Sequence, residues 1–209
     1  MSTHDDDSFA RRPRATPSRR SMLAGLGGAV AAAASPRNSS GQAIDHPPPM
    51  ANARHQFEIL VPAKILPPIV AIGLDGKPAR LAPVPGKILL VNIWATWCEL
   101  CRVELPMLDR FQASTGSAID VVAVAAEKAP PAKVRNFIDN LHIRHLKILL
   151  DPEEKIASSA ESNDAPLRIY GMPMTYLIAP TGRIAGDILG ATDWLAPDAQ
   201  SLLEYYSRT

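Results

Sequence analysis

Cysteine is nearly absent: the 209 residues hold only 2. That excludes a disulfide-stapled scaffold, and it excludes a four-cysteine zinc site. The only close histidine pair, His142 and His145, lies far downstream and off the usual zinc spacing. Charge of one sign is lacking too, with 22 Lys and Arg against 21 Asp and Glu for a net +1. Nothing in that balance points to nucleic acid. No apolar run reaches the ~20 residues a bilayer span needs. There is no Gly-rich phosphate loop, no metal-binding motif and no internal repeat. What is plentiful is apolar residues, 46% of the chain, enough for a core, and proline, with 20.

The two cysteines sit at the most patterned stretch, Lys87 to Pro106. Ile88 to Trp94 is apolar and β-branched and predicts a buried central strand. Ala95-Thr96-Trp97-Cys98-Glu99-Leu100-Cys101 follows. Val103, Met107, Leu108 and Phe111 then recur at helical spacing. A cysteine at a helix N-terminus meets unpaired N–H groups and the positive end of the dipole, both of which favour thiolate. Cys98, nearer that end, is therefore the candidate attacking thiol. Cys101, one turn on, is the candidate resolving thiol. The competing structural reading is a staple, but a bond closing so short a loop restrains the unfolded chain little.

The chain divides into three parts. Residues 1–34 carry arginines, Ser18-Arg19-Arg20-Ser21-Met22-Leu23 and then a Gly/Ala-rich apolar run, the parts of an export signal. Its form resembles a twin-arginine signal peptide, so the expected location is the periplasm or cell envelope. Residues 35–61, rich in Pro, Ser and Gly, read as a disordered linker. Residues 62–209 read as one domain.

WATWC, then Cys101-Arg102, Glu104 and Pro106 after an apolar strand, resembles the thioredoxin superfamily and, within it, the exported TlpA/ResA/CcmG group. The resemblance runs from about Pro62 to the last helix. It implies a three-layer α/β thioredoxin fold with an N-terminal β-hairpin extension. It also implies thiol–disulfide exchange with disulfide-bearing client proteins, a membrane thiol reductase as electron donor, and no cofactor beyond the Cys98–Cys101 pair. Clients of the apocytochrome c or oxidase copper-site kind follow from the same likeness. Thioredoxin carries a buried Asp where this chain has Asn92, which cannot titrate. Glu104 is the candidate replacement that moves protons at Cys101. Tyr170-Gly171-Met172-Pro173-Met174-Thr175 resembles the family's cis-proline loop, with Pro173 the cis residue. Trp97, Met172 and Pro173 would form the apolar collar on which a client docks.

The remaining pattern predicts a hairpin from Ile69–Ile72 and Ala79–Leu81 around Asp75-Gly76-Lys77, and strands at Ile119–Ala125 and Leu146–Leu150. A helix is expected from Pro130 or Pro131 to Leu141, a short one from Glu153 to Glu161, and a last one from Pro197 to Tyr206. Thr175–Ile178 and Ile184–Leu189 pair through Pro180-Thr181-Gly182-Arg183. Pro106 should kink its helix. His142 and His145 read as surface residues. Between the cysteines, Glu99 adds negative charge and Leu100 adds none, which leaves the Cys98 thiol nearer the free value of ~8.5 and the pair reducing. Two other functions fit the same residues: copper(I) binding by Cys98 and Cys101 with Met172 or Met174, and thiol peroxidase chemistry at Cys98 alone.

Overall fold

The computed structural model describes residues 45–160 and 164–209. The export signal expected over 1–34 lies outside the described residues.

Strand β4 (Ile88–Trp94) is buried along its whole length and forms the middle of an eight-stranded sheet. It pairs in parallel with β5 (Ile119–Ala125), which pairs in parallel with β6 (Lys147–Leu150). Parallel neighbours need crossovers, supplied by α1 (Glu99–Ser114) and α2 (Pro131–Asn140). On the other side of β4 lie antiparallel β9 (Met174–Ile178) and then β10 (Arg183–Leu189). The hairpin of β2 (Ile69–Gly73) and β3 (Pro78–Leu81) extends the sheet beside β6, and its turn uses Gly76 at φ +78°. Helix α3 (Pro197–Ser207) closes the chain. Helix α1 continues through Pro106 to Ser114.

Side chains alternate between two cores, as strand geometry requires. Leu90, Trp94, Ala123 and Leu177 point to one, with Cys98 and Cys101 and the apolar faces of all three helices. Leu89, Val91, Ile93, Val124 and Met174 point to the other, which no helix among the described residues covers. Ile156, Ala157 and Leu167 fill that second face. They belong to a segment with the short parallel strands β7 (Ala157–Ser158) and β8 (Leu167–Arg168). The short helix expected from Glu153 to Glu161 is not formed over 153–160. The Asp151 carboxylate accepts the N–H groups of Lys155, Ile156 and Ala157 at 2.8–3.0 Å, donors that a helix would turn to its own carbonyls.

The linker expected over 35–61 is overturned from residue 45 onward. Met50 is buried, Asp45 pairs with Arg183 at 2.6 Å, and β1 (Glu58–Ile65) adds an edge strand to β10. Gly186 permits that pairing: a Cβ there would lie 2.1 Å from the Glu58 carbonyl oxygen. Proline content suppressed the strand signal at Pro62, yet proline is tolerated at an edge.

Candidate active site

Cys98 occupies the N-cap position of α1 with extended backbone, and its Sγ accepts the Cys101 N–H at 3.2 Å. The sulfur thus takes the place a Ser or Asp oxygen fills at other helix starts, and the donor that holds it would favour a thiolate there. The two cysteines form a disulfide with Cα atoms 5.3 Å apart. Cys98 is 6% exposed and Cys101 is fully buried. The order of exposure agrees with Cys98 as the thiol a partner reaches.

On the helix turn after Cys101 lies a buried polar network. Glu104, on the third residue after Cys101, is fully buried. Asn92 Nδ2 donates to Glu104 Oε2 at 2.8 Å and to Thr175 Oγ1 at 3.0 Å, and the Thr192 N–H donates to Glu104 Oε1 at 3.1 Å. Loss of water around the carboxylate pushes its pKa up to about 8, against the lowering effect of those two hydrogen bonds. Near neutral pH, then, Glu104 is poised to gain or lose a proton, the property a general acid or base needs. The amide of Asn92 thus serves the carboxyl instead of replacing it.

The Met172–Pro173 peptide bond is cis. Pro173 is buried, and its carbonyl accepts the Gly190 N–H at 2.7 Å. Met172 is half-buried and touches both cores, while Met174 is buried in the core on the sheet face away from the cysteines. Met174 is therefore not brought to the cysteines, which leaves Met172 alone as the expected soft copper ligand. Trp97 stands 65% exposed at the helix start. A groove of about 270 Å³ runs beside the site with Leu100, Met172 and Leu189 in its lining.

A family model described as Redoxin matches residues 61–203. The chain belongs to the Redoxin family. Among curated relatives, it is similar to the thiol:disulfide interchange protein DsbE of Pseudomonas aeruginosa. The two are 36% identical over 129 residues, 59% of this chain and 66% of that one, just under two thirds. Thiol-disulfide oxidoreductase ResA of Bacillus subtilis is 26% identical over 140 residues, 66% of this chain and 73% of that one. Of solved structures, a thioredoxin-family thiol:disulfide interchange protein from Chlorobium tepidum superposes with a TM-score of 0.54 at 24% identity, over 68% of this chain and 95% of that one. A DsbF homologue from Corynebacterium diphtheriae gives 0.56 at 21% identity, over 74% and 92%. These structures share the fold, which is the thioredoxin fold. Residues 61–203 are a thiol–disulfide oxidoreductase domain of the DsbE/ResA type.

The Redoxin site also uses residues that sequence reading missed. Glu127, just past β5, accepts both the Thr96 N–H at 2.6 Å and the Thr96 hydroxyl at 3.0 Å, while Lys133 lies 3.5 Å from it. Its side chain is only 7% exposed, so it fixes the turn that carries Trp97 and Cys98. Glu127→Ala should cost about 2 kcal/mol, the scale of a charged hydrogen bond lost with its partner left buried. Denaturant unfolding checks this, and Glu127→Gln should recover part, since its amide oxygen still accepts from Thr96. Arg102 lies over the Phe137 ring at 4.8 Å, and Phe137 stacks on Trp94. Asp187, beneath the loop before Met172, accepts the Tyr170 hydroxyl, and burial reinforced by Glu58 pushes its pKa up to about 7. No local pattern announces Glu127 or Asp187, because each acts on a residue distant in the chain.

Proposed function

We propose that the whole protein donates electrons to disulfides of client proteins in the cell envelope. The observation that carries this reading is Cys98 capping α1 directly ahead of the buried, proton-holding Glu104. The Cys98 thiolate attacks a client disulfide, forming a mixed disulfide as the client S–S bond breaks. Glu104 takes the Cys101 proton, and Cys101 attacks Cys98 Sγ and releases the client sulfur. Two electrons and two protons pass from the dithiol to the client, leaving the Cys98–Cys101 disulfide. A membrane thiol reductase restores the dithiol, since an oxidising compartment supplies no reductant of its own. The export signal read over residues 1–34 supports the envelope, and similarity to DsbE and ResA supports clients of the apocytochrome c or oxidase copper-site type. Among the described residues, no helix is long and apolar enough to cross a membrane.

The direction of electron flow rests on the residues between the cysteines. Leu100 offers no charge, and Glu99 is exposed with Arg102 at 3.9 Å, so neither draws a thiolate strongly. The pair should be reducing, nearer the ~−270 mV of thioredoxin than the ~−120 mV of DsbA. Equilibration of the full chain with glutathione buffers measures it. A potential above about −180 mV, typical of an isomerase, would remove the reductant reading.

A further inference from the structure

One wall of the groove beside the disulfide comes from outside the sheet and helices. Residues 51–56 fold into a turn closed by an Ala51–Gln56 bridge. Asn52 Oδ1 accepts the N–H groups of Arg54 at 3.0 Å and His55 at 2.9 Å. The same side chain clamps the turn to the domain. Its Nδ2 donates to the Leu189 carbonyl at 2.8 Å and to Thr192 Oγ1 at 3.1 Å. Thr192 is the residue whose N–H holds Glu104. Gly190 lies directly under the turn: a Cβ there would stand 3.3 Å from Asn52 Nδ2 and 3.4 Å from His55 Cδ2. Gly190 is also the donor to the Pro173 carbonyl. The turn is therefore pinned to the strand end that supports the cis-proline loop.

The chemistry of the groove is one-sided. Its apolar lining comes from Leu100, Met172 and Leu189, and its charge comes from Arg54, with the His55 ring beside it. Both are exposed, no carboxylate lines the groove, and neither forms an ion pair among the described residues. The carboxylate that meets the turn, Asp198, does so at its first residue, where it accepts the Ala51 N–H along with that of Ala199, and it is not part of the groove lining. A guanidinium stays charged at any working pH and presents a fork that matches a carboxylate.

We propose that the 51–56 turn selects clients: the groove receives an extended client segment, and Arg54, with His55 beside it, pairs with an Asp or Glu close to the client's reacting cysteine. The proposal rests on the disulfide-exchange reading. Leu100 and Met172 place the groove alongside the cysteines, so a segment whose sulfur is attacked by Cys98 runs past Arg54. A charge at that rim speeds encounter with clients of opposite sign and slows those of like sign.

The test uses the reduced full chain and capped synthetic peptides, each with one intramolecular disulfide. They differ only in a Glu, Gln or Lys beside the reacting cysteine. Second-order rates of peptide reduction at low salt should fall in the order Glu, Gln, Lys. The Glu and Lys peptides should differ by about fivefold, the scale of exposed ion pairs. The difference should shrink as salt screens the rim. Arg54→Glu should reverse the order. Equal rates for all three peptides, with the Gln peptide reduced, would overturn the proposal and leave disulfide exchange standing. Failure of the wild-type chain to reduce even the Gln peptide would overturn the exchange reading and the proposal with it. Rates that fall with rising protein concentration whatever the peptide's charge would assign the groove to a second copy of the chain and also overturn it.

Discussion

Cys101→Ser should leave the chain caught on its clients as mixed disulfides, and Cys98→Ser should abolish both the adducts and turnover. The first variant keeps the nucleophile at the helix cap but removes the thiol that resolves it. The second removes the sulfur that a partner reaches first, since Cys101 is fully buried. Exchange by Cys98→Ser should fall by at least about a thousandfold, because the protein dithiol is the reductant and the sequence holds no third cysteine to re-form a pair with Cys101. Non-reducing gels of cell extracts read the adducts. Equal trapping by the Cys98→Ser chain would reverse the assignment of roles.

Glu104→Gln should slow exchange by about a hundredfold at pH 8, the scale of a lost general base. With the pKa pushed up to about 8, the working carboxylate accumulates as pH rises toward that value. The gap between wild type and variant should therefore widen from pH 6 to pH 8, whereas the motif alone suggests a maximum near neutrality. Stability should move the other way. The folded chain holds this proton to about pH 8, while an unfolded one releases it near 4.5. By this group, stability is full below pH 4.5 and is lost as pH rises through about 8. The Gln variant has no such loss, so at pH 9 it should be more stable than wild type by on the order of 3 kcal/mol. Urea unfolding across that range checks the sign. A wild-type stability that rises between pH 5 and 8 relative to the variant would contradict the buried, protonated carboxyl.

Local signals made the reaction legible. The buried run Ile88–Trp94, the cysteine spacing and the helical period after it all act within one turn or strand, where sequence neighbours are spatial neighbours. The hairpin turn at Gly76, the crossover helices and the cis Met172–Pro173 bond came from equally short motifs, the last through family resemblance. Glu104 could be singled out as a candidate for the same reason. Its pKa could not, because the upward shift comes from burial by surrounding elements, opposed by hydrogen bonds from Asn92 and Thr192, 12 and 88 residues away.

Where the sequence misled, a polar side chain had captured backbone donors. Asp151 turned a helical-looking stretch into a loop, and Asp109 holds the N–H groups of Arg144, His145 and Leu146 in the same manner. Periodicity counts apolar positions and is blind to such competition. Residues 45–61 show the same limit: Pro, Ser and Gly composition over 35–61 signalled a linker, but Asp45, Met50 and Asn52 each find partners more than 130 residues away or in the core. The sequence by itself determined the strand-to-helix placement of Cys98 and Cys101, which follows from local pattern and spacing, and pointed to the chemistry and the fold class through that motif's family resemblance. Only the tertiary structure decided that Glu104 is a buried acid, that Glu127 fixes the Cys98 turn, and that residues 52–55 wall the groove beside the disulfide. Those properties depend on desolvation and on hydrogen bonds between distant residues, which exist only once the chain has closed on itself.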